Sequence, residues 1–371
     1  MTFNATHEET TWLDNVMPAY SDDIPNFIDD NGGLICGIYT GLDNETYHSL
    51  DAINSSIIKK LVSKTPAHAK KILDEKESSE SLFTRSRAME IGTLGHELIL
   101  EPNEFEKKYF RLPNQSEHPK ALVTSKELAN KCDEVGLAKT GNKPELIERL
   151  AQHDMTIEIF DLIVASSYMK NTGKKAFQIA QELVRNKKAI NIHKAYETQL
   201  VKKQCLKLPV EVEQWNKAKQ VESAFLKHTR APLLTKDGFP EITMIAKDPI
   251  TGLLLKIKID YLRRDAIAID IKTARSAEPY KFSKQCKDLN YDVQAEFYKY
   301  VANLLDVPVE VFAFVAIEYE EAEICEIFEL SKKRQEQGWR DTEMGLRTLK
   351  GCIDTSNWYG YTVNDQIIVI D

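Results

Sequence analysis

The run AIAIDIKTA at 266–274 limits what this chain can fold into more than any other segment. It is apolar almost throughout, which marks a central strand covered on both faces. Yet it carries Asp270 and Lys272. Side chains two apart on a strand point to the same side, so the carboxylate and the ammonium project together. Two further strands precede it, PEITMIAKD (240–248) and GLLLKIKIDYL (252–262), joined by the turn sequence DPITG. Glu241 opens the first of these and Asp260 closes the second. Burying such charges in a sheet is costly unless they pair or meet a metal. Oxygen ligands of this kind suit Mg²⁺, with Mn²⁺ as a substitute, and leave room for water and phosphate. A bare D-x-K triplet more often marks a plain Asp270–Lys272 ion pair, with Asp260 capping a hairpin, and it is the surroundings that favour a site.

The rest of the chain supplies the frame. Its 371 residues suffice for two domains, or for one large domain with an insertion. No segment approaches the roughly 18–20 apolar residues of a membrane span. MTFNATHEETTWLDN at the start has neither the basic residues nor the apolar run of a secretory signal. The expectation is a cytoplasmic protein with no membrane partner. The six cysteines form no CxxC pair, which argues against a zinc ribbon or a cysteine-held cluster.

The net charge of −8 conceals strong segregation. Residues 1–30 hold seven acids and no Lys or Arg, and read as an acidic arm or irregular lead-in over 1–35. Residues 170–203 hold nine Lys or Arg against Glu182 and Glu197, and residues 272–287 hold five against Glu278. Local patches of this kind matter more to a polyanion than the total.

Helical periodicity comes first along the chain. NSSIIKKLVS (54–63) reads as a short helix with Asn54 or Ser55 as its cap. RAMEIGTLGHELIL (87–100) reads as a helix in which Gly92 and Gly95 lower the propensity. Two such costs imply close packing, or backbone approach by a ligand. Helices over 125–135 and from Pro144 onward form a compact pair, with Gly136 suited to the cap between them. Residues 156–203 look helical and basic, and 210–230 form a further helix. After the three strands come a helix over 288–305, strands over 311–319 and 321–330, and a charged helix over 332–350. This order predicts an α/β (α+β) fold with a central mixed sheet flanked by helices.

At this point the chain resembles a known family. D-(x)n-D-x-K on adjacent strands is the signature of the PD-(D/E)XK nuclease superfamily. YHSLDAINSSIIKKLVSKTPAHAKKIL (47–73), AMEIGTLGHELILEPNEFEKKY (88–109), EITMIAKDPITGLLLKIKIDYL (241–262), AIDIKTARSAEPYKF (268–282), YDVQAEFYKY (291–300) and NWYGY (357–361) are similar to its RecE-type exonuclease branch. The resemblance implies that His96, Asp260 and Asp270 are metal ligands, with the Ile271 carbonyl beside them. Lys272 would be the catalytic lysine. Gln294 and Tyr298 would form the QxxxY pair, sharing one helix face by their spacing. Glu241 would hold water or a second metal. Ser55 and Ser56, at a helix start, become candidates for holding a DNA end, although ordinary capping explains them as well.

Residues 120–154, in SKELANKCDEVGLAKTGNKPELIERL, resemble a SAP motif, a small helical DNA-binding module. That resemblance assigns phosphate contacts to its backbone amides and to Lys139 and Lys143. The module lies between His96 and Glu241, hence inside the nuclease core. The expected organisation is an arm over 1–35, core over 36–112, a helical insertion over 113–203, and the catalytic part of the core over 204–371. The implied activity is a Mg²⁺-dependent exonuclease on linear double-stranded DNA. It would digest 5′ to 3′ and leave 3′ tails for a single-strand annealing recombinase. The resemblance also implies a ring-shaped homo-oligomer and fits a phage or prophage setting. The alternatives are an endonuclease or single-strand nuclease on the same fold, or a non-catalytic DNA-binding scaffold.

Overall fold

A computed structural model of the chain describes residues 11–77, 87–171 and 206–362, with single positions between 173 and 182 and at 367. It divides into two compact units, Met1–Leu100 with Gln220–Asp371, and Glu101–Lys219.

The first unit is built on a seven-stranded sheet. Its strands are β1 (Val16–Pro18), β2 (Gly37–Thr40), β3 (Gly238–Lys247), β4 (Leu254–Arg263), β5 (Ala268–Ala274), β6 (Phe312–Glu318) and β7 (Ile324–Glu329). They lie side by side in chain order. β1 with β2 and β5 with β6 are parallel; the other neighbours are antiparallel. The sheet is therefore mixed, and β5 lies inside it, as its apolar run requires. β6 shows why two cores are needed. Phe312, Phe314 and Ala316 enter one, while Ala313, Val315 and Ile317 enter the other. This is the alternation of a strand buried on both faces.

The first core includes Ile57 and Ile58 of α1 (Ser55–Ser63). The second takes Leu100 from the end of α2 (Arg87–Leu100). α1 begins where the sequence places it, because the Asn54 side chain accepts the Ile57 N–H.

The second unit holds the predicted helix pair, α3 (Ser125–Glu134) and α4 (Lys143–His153). Each starts with a capping box, Thr124 with Glu127 and Asn142 with Glu145. Gly136 takes φ +76° just past α3. Leu128, Cys132, Leu146, Leu150 and Ile159 make their shared core.

Two expectations are corrected. The acidic lead-in is packed from residue 11 onward. Trp12, Ala19 and Phe27 are buried, and Val16–Pro18 pairs with β2 at the sheet edge. A few apolar residues spaced among acids suffice to anchor it, which a reading based on charge misses. The helix expected over 288–305 is α7 (Tyr291–Asn303), but the reading lacked a further helix just before it, α6 (Pro279–Asp288), α5 being Val212–Lys227. Asn290 separates them with a left-handed φ of 51°. α6 buries only Phe282 and Cys286, so its apolar periodicity is thin. Its start was nonetheless encoded, with Glu278 as cap and Pro279 in the first turn. The charged helix continues beyond its expected end as α8 (Lys332–Thr355). Most of the basic stretch 170–203 lies outside the described residues. No described helix is long and apolar enough to cross a membrane.

Candidate active site

β4 and β5 pair only through Tyr261 with Ile269 and Leu262 with Ala268. Beyond that point the ladder stops. The Asp260 carboxylate takes its place, accepting the Ile271 N–H at 2.7 Å. A side chain thus satisfies a backbone donor that would otherwise be stranded inside a sheet. Across the other edge of β4 the ladder breaks as well. Ile242 pairs with Ile259 and Pro240 with Tyr261, but Glu241, between them, has φ +49°. A glutamate held in the left-handed region is strained, and such strain clusters at functional sites.

His96, on α2, lies between these two acids. Its Nε2 is 2.7 Å from Asp260 Oδ2 and its Nδ1 is 3.2 Å from Glu241 Oε1. The two glycines explain how the helix comes so close. A Cβ on Gly92 would stand 2.9 Å from Thr273 Oγ1 on β5, and one on Gly95 would stand 2.8 Å from Val221. Burial disfavours the imidazolium, but Asp260, then Glu241, outweigh it and raise the His96 pKa to about 9. The same contact holds Asp260 below the usual carboxylate range in spite of its burial.

Asp270 and Lys272 project together from β5, with Nζ 2.7 Å from Oδ2. Burial pushes the Asp270 pKa up. Burial disfavours the Lys272 ammonium, but Asp270 and Asp260 hold it charged. Gln294 donates from Nε2 to Asp270 Oδ1 at 2.7 Å, and Lys59 of α1 lies 3.5 Å from the Gln294 carbonyl oxygen. Tyr298, four residues on, is hydrogen-bonded through its hydroxyl to the Ser55 side chain and packs edge-on against Phe312. Ser55 is buried, while Ser56 is exposed. A cleft of about 350 Å³ opens over the group, lined by His96, Glu241, Asp260, Ile271 and Lys272 among others.

One unit therefore brings together Glu241, His96, Asp260, Asp270, Ile271, Lys272 and Gln294. Lys139 and Lys143 belong to the second unit. There Lys139 lies 3.2 Å from Asp133, and Lys143 lies 2.6 Å from Asp161.

Sequence reasoning missed Lys258. Its Nζ lies 3.1 Å from Glu241 and donates to the Leu42 carbonyl and Asn44 Oδ1 at 2.8 Å each. The signal was available, because Lys258 stands two residues before Asp260 in KIKID. Nothing local in the sequence pointed to Lys59.

His96, Glu241 and Asp260 each offer a ligand atom within 4.8 Å of the others. One imidazole nitrogen and two carboxylate oxygens fit a divalent cation of the Mg²⁺ or Mn²⁺ type. Asp270 is set back from this trio, held by Lys272 and Gln294.

A mixed sheet with an acid–lysine pair on an inner strand and a second acid at a strand fork defines the PD-(D/E)XK class. The family model for a PDDEXK-like domain of unknown function (DUF3799) matches residues 174–364. That is more than half of the chain, which belongs to this family. A SAP domain model matches residues 123–155. Among solved structures, the chain is similar to a candidate exonuclease from Eubacterium rectale at 10% identity. The alignment covers 90% of this chain and 96% of that one, with a TM-score of 0.45. It is also similar to the protein SSO0001 at 16% identity, over 44% of this chain and 69% of that one, with a TM-score of 0.21. No match is found among the curated proteins.

Proposed function

We propose that this protein is a Mg²⁺-dependent exonuclease on linear double-stranded DNA, digesting 5′ to 3′ and leaving 3′ single-stranded tails. The observation that carries the reading is the convergence of His96, Glu241 and Asp260 beside the Asp270–Lys272 pair. A bound divalent cation would supply Lewis-acid charge on a phosphoryl oxygen and a more acidic water. The chain's own groups do the rest. Lys272 stays protonated beside Asp270 and presents a fixed positive charge to a phosphate entering the cleft. Gln294 fixes the Asp270 carboxylate, and Lys258 fixes Glu241, so the acids are oriented before substrate arrives. The SAP domain supports DNA as the substrate, with phosphate contacts assigned to Lys139 and Lys143 once they exchange their present acidic partners. Ser55, buried and hydrogen-bonded to Tyr298, is a poorer candidate for the DNA end than the exposed Ser56.

The resemblance to RecE-type exonucleases supports the polarity, a ring-shaped homo-oligomer, an annealing recombinase as partner and action in the cytoplasm. Linear duplex labelled separately at its 5′ and 3′ ends tests the reading. Early release of 5′ label as small products, dependent on Mg²⁺ and lost in Lys272→Ala, is expected. Cutting of closed circular DNA would instead indicate an endonuclease. DNA binding without cleavage in Mg²⁺ or Mn²⁺ would leave a scaffold.

A further inference from the structure

The strand that carries Lys272 leads straight into a second feature. Arg275 follows the last residue of β5, and α6 begins four residues later. α6 buries Phe282 and Cys286. On its opposite side it exposes Tyr280, Lys284 and Lys287, spaced i, i+4 and i+7, with Lys281 flanking them. Tyr280 is 78% exposed, unusual for an aromatic ring.

Many surface cations of this chain are tied to acids, among them Lys107 to Glu104, Lys227 to Glu323 and Lys350 to Asp354. Others stand without an acidic partner, and three of those gather here. Among the described residues, the side chains of Arg275, Lys284 and Lys287 make no hydrogen bond or ion pair. Glu278 lies near Lys281, but its carboxylate is turned into the helix start, accepting the Tyr280 and Lys281 N–H groups. Asp288, at the helix end, is the one acid among the exposed residues of α6.

We propose that this face of α6, with Arg275, holds single-stranded DNA emerging from the cleft. Cations along a helix face match a phosphate backbone, since at about 1.5 Å per residue Lys281 to Lys287 span roughly 9 Å. The exposed Tyr280 ring adds a surface on which a base can stack. Cations interleaved with an aromatic ring favour single strands, whose bases are free, over a duplex, whose bases are enclosed. The inference rests on the nuclease reading for where the strand comes from, but not for whether it binds.

The test measures binding of a single-stranded oligonucleotide, and of the matching duplex, by the full chain in chelator across a salt series. Cleavage by the same preparations in Mg²⁺ is scored separately. The triple variant R275A/K284A/K287A is expected to lower the log–log salt slope by about 2, at ~0.7 per phosphate contact. Tyr280→Ala is expected to weaken single-strand binding roughly tenfold, with Tyr280→Phe close to wild type. Lys350→Ala, which removes a paired surface lysine, should change neither. An unchanged slope in the triple variant overturns the proposal, whether or not the protein cleaves. Losses confined to duplex binding, with no effect of Tyr280→Ala, would overturn the single-strand assignment. A fallen slope with no cleavage would sustain the surface and sink the nuclease reading.

Discussion

The Asp260 carboxylate accepts the Ile271 N–H at 2.7 Å, at the point where β4 and β5 stop pairing. One side chain therefore does two things. It closes the fork in the sheet, and it presents its charge to His96.

These two roles separate in Asp260→Asn. The amide oxygen can still accept from Ile271, so the fold should survive, with a thermal midpoint within a few degrees of wild type. The charge is gone, so metal-dependent cleavage should fall by at least about 10²–10³-fold. Near-normal activity in a well-folded variant would remove Asp260 from the chemistry.

Gln294 acts through Asp270, to which it donates at 2.7 Å. Gln294→Ala frees that carboxylate to turn and should weaken metal-dependent activity about 10–100-fold, the usual scale for outer-shell partners. Gln294→Glu places a second acid against Asp270 and should do at least as much harm. Steady-state cleavage across a metal titration reads both.

Gly338 of α8 passes close to α7. A Cβ there would lie 2.5 Å from the Asp292 backbone oxygen, so the helix pair must shift to admit it. Gly338→Ala should cost about 1–3 kcal/mol. Gly351→Ala, where no atom lies within 4 Å, should not destabilise the chain. Denaturant unfolding of the two variants checks the contrast.

Asp248 is buried at the β3–β4 turn and accepts from Tyr300 Oη at 2.5 Å and from the Thr251 N–H at 3.0 Å. Burial works against its charge, but the hydrogen bonds from Thr251 and Tyr300 prevail and hold its pKa below the ordinary carboxylate value. A depressed folded-state pKa stabilises above the unfolded value and loses that stabilisation as pH falls through the folded one. Asp248→Asn should therefore cost about 1–3 kcal/mol at pH 7, with the gap to wild type narrowing in acid. A gap independent of pH would contradict this.

Much of the site was legible because its chemistry violates the sheet around it. A charged pair inside AIAIDIKTA, and an acid closing KIKID, stand out against apolar alternation. Gly92 and Gly95 announced a close approach on α2, and the structure gives its target as Thr273 and Val221. What stayed hidden depended on three-dimensional closure. That Glu241 meets His96 requires α2 to cross the strands, and that Lys59 reaches Gln294 requires α1 to pack near α7. α6 escaped notice because two buried residues make a faint periodicity.

Mn²⁺ binding followed by electron paramagnetic resonance tests the central claim most directly, since it needs neither substrate nor turnover. Wild-type protein is expected to bind Mn²⁺, and His96→Ala and Asp260→Asn are expected to lose that binding, with Mg²⁺ competing in the wild type. Stoichiometry and affinity unchanged by either substitution would contradict the assignment of His96, Glu241 and Asp260 as the metal centre.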